Sequence, residues 1–211
     1  MRNTEDTDKP ERAIKAVFFD IGNVLLKFDA ARLARHIARV SRGHSLSVAR
    51  LLLSGRLSDE IERGLIPPRG IFRLLKREMG FAGDYARFRG IWCAHFELVE
   101  RTAGLLRRAA ARRRVYLLSN TNAIHYDHIR RRYAFARHVR GAVLSHRLGL
   151  RKPEPGIYLS ALRRARVHPA ESLFIDDLAA NVAAARKLGM HAVRYRGAAR
   201  LEKTLLAFGV V

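Results

Sequence analysis

The sequence predicts an α/β fold: a Rossmann-like parallel sheet with helices on both faces, and a small helical cap inserted after the first strand. Three features of the chain support this prediction. Five short apolar runs recur along 211 residues that are 48% hydrophobic. Most of these runs are followed by a helical pattern, and a long helical stretch separates the first run from the second. A chain of this length suffices for one core with a smaller lobe attached.

The five apolar runs have the composition of buried strands, because they are rich in β-branched and aromatic residues. They read "KAVFFD" (15–20), "RVYLLSN" (114–120), "GAVLSH" (141–146), "SLFIDD" (172–177) and "HAVRY" (191–195). Strands that alternate with helical segments indicate a parallel sheet covered on both faces, with right-handed crossovers. The helix-like segment "LAANVAAARKLG" ends in Gly189, a residue type that favours helix termination.

The stretch from about residue 28 to 105 is far too long for an ordinary connection between a strand and a helix. Its pattern is mostly helical, in the segments "DAARLARHIARV", "SVARLLLSG", "SDEIERGL", "GIFRLLKREMG" and "YARFRGIWCAHFELV". Breaks fall at Gly43, Pro67–Pro68 and Gly80–Gly83. We therefore predict a helical cap over 28–104, an α/β core over 14–27 and 105–211, and a flexible N-terminal tail over 1–13.

The composition narrows the classes of partner. The chain carries 41 basic and 19 acidic residues, a net charge of +22. No zinc-finger spacing or aromatic RNA-binding motif accompanies this charge, so we interpret it as a solvated surface and expect no nucleic-acid partner. No apolar run approaches the ~20 residues that cross a bilayer, so no membrane partner is expected. Cys93 is the single cysteine, which excludes an internal disulfide and fits a cytoplasmic location.

Polar residues stand at the carboxyl ends of three predicted strands. Asp20 closes the first strand, Ser119 and Asn120 close the second, and Asp176 and Asp177 close the fourth. Ligands of open α/β sheets bind at this edge, so we expect these side chains to lie close together. Two neighbouring carboxylates repel each other unless a cation bridges them, and oxygen ligands suit Mg²⁺.

A lysine completes the set of groups that phosphoryl transfer requires. Lys152, in "RKPEPG", lies just past the third strand, where a cation could neutralise an anionic group. A carboxylate nucleophile, a metal, a hydroxyl donor and a lysine together predict a phosphoryl-transfer site.

Four motifs give the sequence a specific resemblance. "FFDIGNV", "LLSNTN", "KPEPGIY" and "FIDDLAANVAAA" occur in this order, and the chain thereby resembles the haloacid dehalogenase-like (HAD) hydrolase superfamily. The resemblance covers about residues 14 to 195, and the predicted cap falls where that family carries its helical cap. The residues of these motifs are most similar to those of the bacterial sugar-phosphate phosphatase subgroup typified by α-D-glucose-1-phosphate phosphatase.

The resemblance implies a nucleophile and a metal site. Asp20 would attack phosphorus, form an aspartyl-phosphate, and bind Mg²⁺ through its other oxygen. The backbone carbonyl of Gly22 and the carboxylate of Asp177 would be further ligands. Asp176 would stand beside the metal, with Asp177 the preferred direct ligand of the two.

The resemblance also implies a phosphate-binding set. Ser119 and the amide of Asn120 would hold the transferring phosphoryl oxygens, and Lys152 would balance the charge on the nucleophile and the phosphate. Asn181 would orient Asp177 or its loop. These assignments agree with the physics, because catalysis of phosphoryl transfer is mostly positioning and electrostatic stabilisation.

One position departs from the family pattern. Most phosphatases of the family carry Asp two residues after the nucleophile as a general acid and base, whereas this chain has Gly22. The subgroup that the chain resembles also has glycine at this position, so we still expect the chain to be catalytically active. His125, at the start of the helix after the second strand, is the first candidate for this role; the alternative is that it is a histidine on the helix surface without a catalytic role.

We therefore predict a Mg²⁺-dependent phosphoric monoester phosphatase that acts on a small phosphorylated metabolite, with a sugar phosphate as the expected class. Two alternatives stay open. A metal-independent haloacid dehalogenase would use Asp20 to attack carbon. A non-catalytic phosphate- or nucleic-acid-binding protein would have lost its chemistry with Gly22.

Overall fold

The computed structural model describes residues 13–42 and 55–211. Its strands are β1 (Ala16–Phe19), β2 (Leu26–Phe28), β3 (Phe96–Leu98), β4 (Arg114–Ser119), β5 (Gly141–Leu144), β6 (Ser172–Asp176) and β7 (His191–Arg194). Five of them form one sheet in the order β5–β4–β1–β6–β7, and every neighbouring pair is parallel. These five strands coincide with the five apolar runs, so the predicted α/β fold is confirmed.

Ten helices accompany the strands within the described residues. They are α1 (Ala30–Ala38), α2 (Arg56–Glu62), α3 (Pro68–Met79), α4 (Tyr85–Cys93), α5 (Glu100–Ala110), α6 (Ala123–Arg132), α7 (Ser145–Leu148), α8 (Pro155–Ala165), α9 (Ala179–Lys187) and α10 (Ala198–Ala207). Short 3₁₀ turns lie at Ala134–Arg137, after α6, and at Pro169–Glu171, after α8. No helix of the described residues is long and apolar enough to span a bilayer.

Both faces of the sheet are buried, which explains why its strands read as continuous apolar runs. Val17 and Phe19 of β1 pack on one face against α5 and α10. Ala16 and Phe18 of the same strand pack on the opposite face against α8 and α9. Successive side chains of a strand point to opposite faces, so a central strand needs an apolar residue at each position.

The helices between β2 and β3 share an apolar cluster of their own. Its buried members are Leu33, Ala34, Ile37, Ile61, Ile71, Leu75, Met79, Phe81, Phe88, Trp92 and Cys93, together with Ile124 of α6. Strands β2 and β3 pair antiparallel, with Leu26 opposite Leu98 and Phe28 opposite Phe96. The chain therefore leaves the parallel sheet and returns to it along paired segments. The cap boundaries at 28 and 104 stay a prediction.

Two sequence segments adopt structures other than those predicted. The segment "YARFRGIWCAHFELV" was expected to be helical throughout, but α4 ends at Cys93 and β3 follows, because β2 offers a strand to pair with. The strand in "GAVLSH" ends at Leu144, because the hydroxyl of Ser145 donates to the Thr121 carbonyl and accepts from the Thr121 N–H. The predicted tail up to residue 12, and residues 43–54 within "SVARLLLSG" and its flanks, lie outside the described residues.

Candidate active site

The polar strand ends meet at one edge of the sheet. β1 lies between β4 and β6, and all three strands run parallel. Asp20 directly follows β1, Ser119 ends β4, and Asp176 ends β6. All three residues are buried, with exposed fractions of 7%, 2% and 0%. The predicted convergence of these residues at the carboxyl edge is therefore observed in the structure.

Lys152 joins two of the carboxylates. Its ammonium nitrogen lies 2.8 Å from Oδ1 of Asp20 and 2.6 Å from Oδ2 of Asp176. Burial opposes the charged form of this lysine, but the two carboxylates outweigh that effect and raise the pKa of Lys152. The side chain is therefore a fixed cation between the two acids.

The carboxylate of Asp20 is held in one orientation. Its Oδ1 accepts a hydrogen bond of 2.7 Å from the Ile21 N–H as well as the ion pair from Lys152. Burial raises the pKa of Asp20 to about 6, with Asp176 adding to the rise and Lys152 opposing it. Within the described residues its other oxygen, Oδ2, has no hydrogen bond, so one oxygen is fixed and one is left for a ligand.

Asp176 and Asp177 are held by different asparagines. The side-chain amide of Asn181 donates to both oxygens of Asp176, at 3.0 and 3.1 Å. The side-chain amide of Asn23 donates to Oδ2 of Asp177 at 3.2 Å. Asn181 therefore orients Asp176 and not Asp177, which corrects the first of the two roles predicted for it. Asn23, whose φ of 54° is left-handed, takes the position next to Asp177.

Three carboxylates converge closely enough to share a cation. One oxygen from each of Asp20, Asp176 and Asp177 lies within 4.8 Å of the others. Asp20 and Asp176 are buried and Asp177 is half-buried. An all-oxygen donor set of this charge suits a hard divalent cation such as Mg²⁺. Gly22 lines the same pocket.

Asn120 positions Lys152 through the backbone. Its Oδ1 accepts from the Lys152 N–H at 2.8 Å, and its Nδ2 donates to the Lys152 carbonyl at 3.0 Å. The side-chain amide is thus used by the loop that carries Lys152, so the phosphate contact predicted for Asn120 would have to come from its backbone N–H. Ser119 lines the pocket, and within the described part of the chain its hydroxyl makes a single, long contact of 3.4 Å, to the Asn120 carbonyl.

His125 does not have the properties of a general acid or base. It is buried rather than on the helix surface, and burial lowers its pKa to about 3. Its Nε2 lies 3.1 Å from the Trp92 carbonyl, and its Nδ1 lies 3.0 Å from Nδ2 of Asn122. A neutral ring with Nε2 donating and Nδ1 accepting satisfies both contacts. Both ring nitrogens are engaged, so the geometry gives no support to the predicted proton-transfer role.

The position two residues after Asp20 is open. A Cβ built on Gly22 would meet no atom within 4 Å, and the φ angle of Gly22 is not positive. The glycine is therefore not required by backbone strain or by close packing. The space that a side chain would occupy there belongs to the pocket.

The site opens into a pocket of about 300 Å³. The carboxylates, Ser119 and Lys152 line one end of it. Side chains from the segment between β2 and β3 line another part, namely Phe28, Leu33, Ser58, Ile61, Glu62, Trp92 and Phe96. The sequence offers Trp92, His95 and Phe96 as possible pocket residues, although aromatic residues at helical spacing more often belong to a core. Trp92 and Phe96 do line the pocket. The other residues of this wall were not predicted, because residues at helical spacing do not show which of them face a cavity.

An ionic network connects α2 and the adjacent Arg63 to the loop that carries Lys152. Arg151 pairs with Asp59 at 2.7 Å and with Glu62 at 2.5 Å. Arg63 pairs with Asp59 at 2.8 Å and with Glu154. The network was not predicted, since nothing in the sequence places residue 59 near residue 151.

Comparisons with known proteins match this chain to a hydrolase family and to proteins named as phosphatases. A family model for haloacid dehalogenase-like hydrolases matches residues 14–189. A sesquiterpene phosphatase from Aspergillus oryzae is 28% identical over 180 residues, which cover 83% of this chain and 87% of that protein. A D-ribitol-5-phosphate phosphatase from Bacteroides thetaiotaomicron is 27% identical over 193 residues, which cover 83% of this chain and 89% of that protein.

Solved structures share the architecture. A HAD family enzyme from Bacteroides thetaiotaomicron, in complex with magnesium and inorganic phosphate, superposes with a TM-score of 0.79 at 25% identity. The match covers 87% of this chain and 95% of that one. An L-2-haloacid dehalogenase from Xanthobacter autotrophicus superposes with a TM-score of 0.61 at 19% identity, over 86% of this chain and 77% of that one, and shares the fold.

Proposed function

The chain belongs to the haloacid dehalogenase-like hydrolase family, and we propose that it is a Mg²⁺-dependent phosphatase of small phosphoric monoesters. The observation that carries the proposal is the position of Lys152 between Asp20 and Asp176, with Asp177 within reach of both acids. A buried lysine and three carboxylates on one sheet edge can bind a dianionic phosphoryl group and a divalent cation together.

Asp20 is the proposed nucleophile. Lys152 and the Ile21 N–H fix its Oδ1, and the carboxylate lies in the pocket that a phosphate monoester would enter. Attack of an Asp20 oxygen on phosphorus forms the acyl phosphate and breaks the bond from phosphorus to the ester oxygen. Water then hydrolyses the acyl phosphate and regenerates the carboxylate.

The remaining residues hold the phosphoryl group and its charge. Lys152 offsets the negative charge of Asp20 and of the transferring oxygens. Ser119 supplies a hydroxyl donor from the end of β4. Asp20, Asp177 and the carbonyl of Gly22 would hold Mg²⁺, with Asp176 beside them, and the bound cation would neutralise charge on the phosphoryl oxygens.

The relatives support a phosphatase but differ in the alcohol that their names specify. One is called a sesquiterpene phosphatase and the other a D-ribitol-5-phosphate phosphatase. The names therefore support phosphoester hydrolysis, and they do not choose between an apolar and a polyol substrate. The sugar-phosphate class predicted from the sequence stays a prediction, as does the cytoplasmic location.

The proposed function is tested by phosphate release from acetyl phosphate and p-nitrophenyl phosphate in the presence of Mg²⁺. We expect turnover by the wild-type protein, its loss on chelation with EDTA, and its recovery when Mg²⁺ is restored. The Asp20→Asn variant should lose at least about a thousandfold in kcat, because the nucleophile is gone.

Asp127→Asn is the matched control. Asp127 pairs with Arg89 at 3.0 Å on the surface of α6, away from the pocket, so the same chemical change there should leave kcat unaltered. Wild-type turnover by Asp20→Asn would overturn the nucleophile. Full activity after chelation would overturn the role of the metal.

A further inference from the structure

We propose that the organic group of the substrate is predominantly apolar, so that the enzyme prefers phosphate monoesters of alkyl or aryl alcohols over those of sugars and polyols, in contrast to the sugar-phosphate class expected from the sequence. The proposal rests on the phosphatase function proposed above. It concerns the part of the pocket beyond the carboxylates and Lys152, where the alcohol portion of the ester would lie.

The wall of that part is mostly apolar, and its apolar side chains come from separate elements. Phe28 of β2, Leu33 of α1, Ile61 of α2 and Trp92 of α4 line the pocket, and Ser58 and Glu62 are the polar members from α2. Leu33, Ile61 and Trp92 also belong to the buried cluster of the helical segment, which fixes their positions. A rigid, mostly apolar wall favours a ligand that removes apolar surface from water, and it offers few hydrogen bonds to hydroxyl groups.

Most of the polar side chains near this wall already bind one another. Asn122 and His125 form two mutual hydrogen bonds, and the second ring nitrogen of His125 contacts the Trp92 carbonyl. Arg151 is paired with Glu62, which leaves the hydroxyl of Ser58 as the neutral polar group of the wall. A polyol would have to bury several hydroxyls, and most of the partners that they would need are already bound to each other.

Two buried donors stand apart from this pattern. Within the described residues the indole N–H of Trp92 and the Nε–H of Arg151 have no hydrogen-bond partner, and both residues line the pocket. Each of these groups can serve one acceptor atom. They suit an organic group with one or two polar atoms and are too few for the several hydroxyls of a sugar.

The rim of the pocket adds apolar surface. Leu178 directly follows Asp177, lines the pocket, and is 55% exposed. Its backbone N–H donates to Oδ1 of Asp176, so the main chain is held in place while the side chain stays in solvent. An exposed leucine beside the reacting groups gains burial when an apolar ligand covers it.

The test compares two esters that differ only in the hydroxyls of the alcohol. n-Hexyl phosphate and sorbitol 6-phosphate are both primary alkyl phosphates of the same chain length, so the leaving groups are alike. We expect kcat/KM for n-hexyl phosphate to exceed that for sorbitol 6-phosphate by about tenfold or more. Acetyl phosphate, assayed in parallel with Asp20→Asn, reports on the phosphoryl chemistry alone.

Two leucine variants separate the pocket rim from general surface effects. Leu178→Ser should reduce the hexyl-to-sorbitol ratio by on the order of threefold, because apolar contact at the rim is lost. Leu206→Ser is the matched control, since Leu206 of α10 is 54% exposed and does not line the pocket, and it should leave the ratio unchanged.

Each outcome is decisive for one of the two proposals. Asp20-dependent turnover of acetyl phosphate together with equal or better use of sorbitol 6-phosphate would overturn the apolar preference and leave the phosphatase function standing. Absence of Asp20-dependent turnover of acetyl phosphate and of both esters would overturn the proposed function, and the substrate preference would fall with it.

Discussion

Lys152 shows how one residue can organise the charges of the site. An ammonium group buried without partners is costly, and so are two carboxylates left facing each other. The contacts of 2.8 Å to Asp20 and 2.6 Å to Asp176 resolve both problems at once. Asn120 holds the backbone of Lys152 on both its N–H and its carbonyl, so the position of the cation depends on the end of β4.

Gly22 offers a direct way to test which step limits turnover. Because a Cβ at this position meets nothing within 4 Å, Gly22→Asp should fold normally. A carboxyl group there would lie in the pocket two residues after Asp20, where it could protonate the leaving group, so kcat for n-hexyl phosphate should rise by about tenfold or more. The gain for p-nitrophenyl phosphate should be small, because its leaving group needs little protonation.

Gly104→Asp is the control for adding an acid at an open glycine. Gly104 lies in α5, and a Cβ there also meets nothing within 4 Å. An equal change in kcat for both esters in Gly22→Asp, or the same change in Gly104→Asp, would contradict the proposed proton-transfer role of position 22.

At the residue scale, the sequence predicted the groups that stand at strand ends better than their partners. Asp20, Ser119 and Asp176 could be found because each closes an apolar run. The contact of Asn181 with Asp176 and the burial of His125 depend on which helix packs where. A single sequence holds no pattern that reports such tertiary contacts.

At the scale of elements, α2 is linked to the loop that carries Lys152. Arg151 pairs with both Asp59 and Glu62 of α2, and these side chains are roughly one quarter to one third exposed. Arg151→Met would break both pairs. We expect amide hydrogen exchange of residues 56–62 to accelerate about three- to tenfold, because the helix loses contacts that hold it over the pocket.

Arg56→Met is the matched control on the same helix. Arg56 is 92% exposed, and among the residues that the structure describes it pairs only with Glu60 of the same helix, at 2.6 Å, so its loss should change exchange little. Equal acceleration in both variants would show that the contacts of Arg151 do not hold α2 in place.

The strands and helices of the sheet were predictable because their signals are local. β1 and β6 are continuous apolar runs bounded by polar residues, and the glycine after α9 has a φ of 80° that suits a helix end. β3 was mistaken for helix because its three residues are held by pairing with β2. That pairing joins residues about 70 positions apart, and local pattern does not report it.

At the scale of the whole molecule, two buried histidines make stability depend on pH. Burial lowers the pKa of His95 to about 4 and that of His125 to about 3, below the usual value of about 6.5. Between pH 6.5 and 4 these two histidines therefore bind protons in the unfolded chain that they do not bind in the native protein, so their contribution to the free energy of unfolding falls as the pH falls. The raised pKa of Asp20 acts in the opposite direction below about pH 6. Each histidine contributes up to about 1.4 kcal/mol per pH unit.

His95→Phe tests this dependence. The ring of His95 packs edge-on against Phe28 and close to Phe96, and neither of its nitrogens has a partner within the described residues. Phenylalanine should fit among these rings, and urea unfolding at pH 4.5 and 6.5 should show a smaller difference between the two pH values than in the wild type. An unchanged difference would contradict the lowered pKa of His95.

The whole molecule also shows where prediction from sequence ends. The α/β core follows from apolar periodicity, and the reacting groups follow from the order of the motifs. The pocket wall combines Phe28, Leu33, Ile61 and Trp92, which come from four elements of a mostly helical segment. Their common surface exists only once those elements pack together, so the character of the substrate could be inferred only from the structure.

The most direct test of the account is to trap the covalent intermediate. The protein would be mixed with Mg²⁺ and acetyl phosphate, quenched in acid, reduced with borohydride and digested for mass spectrometry. We predict that Asp20 is converted to homoserine, the product expected from an aspartyl-phosphate, and that Asp176 and Asp177 are unchanged. Conversion at another carboxylate, or unmodified Asp20 in a sample that is turning over substrate, would contradict the central claim that Asp20 is the nucleophile.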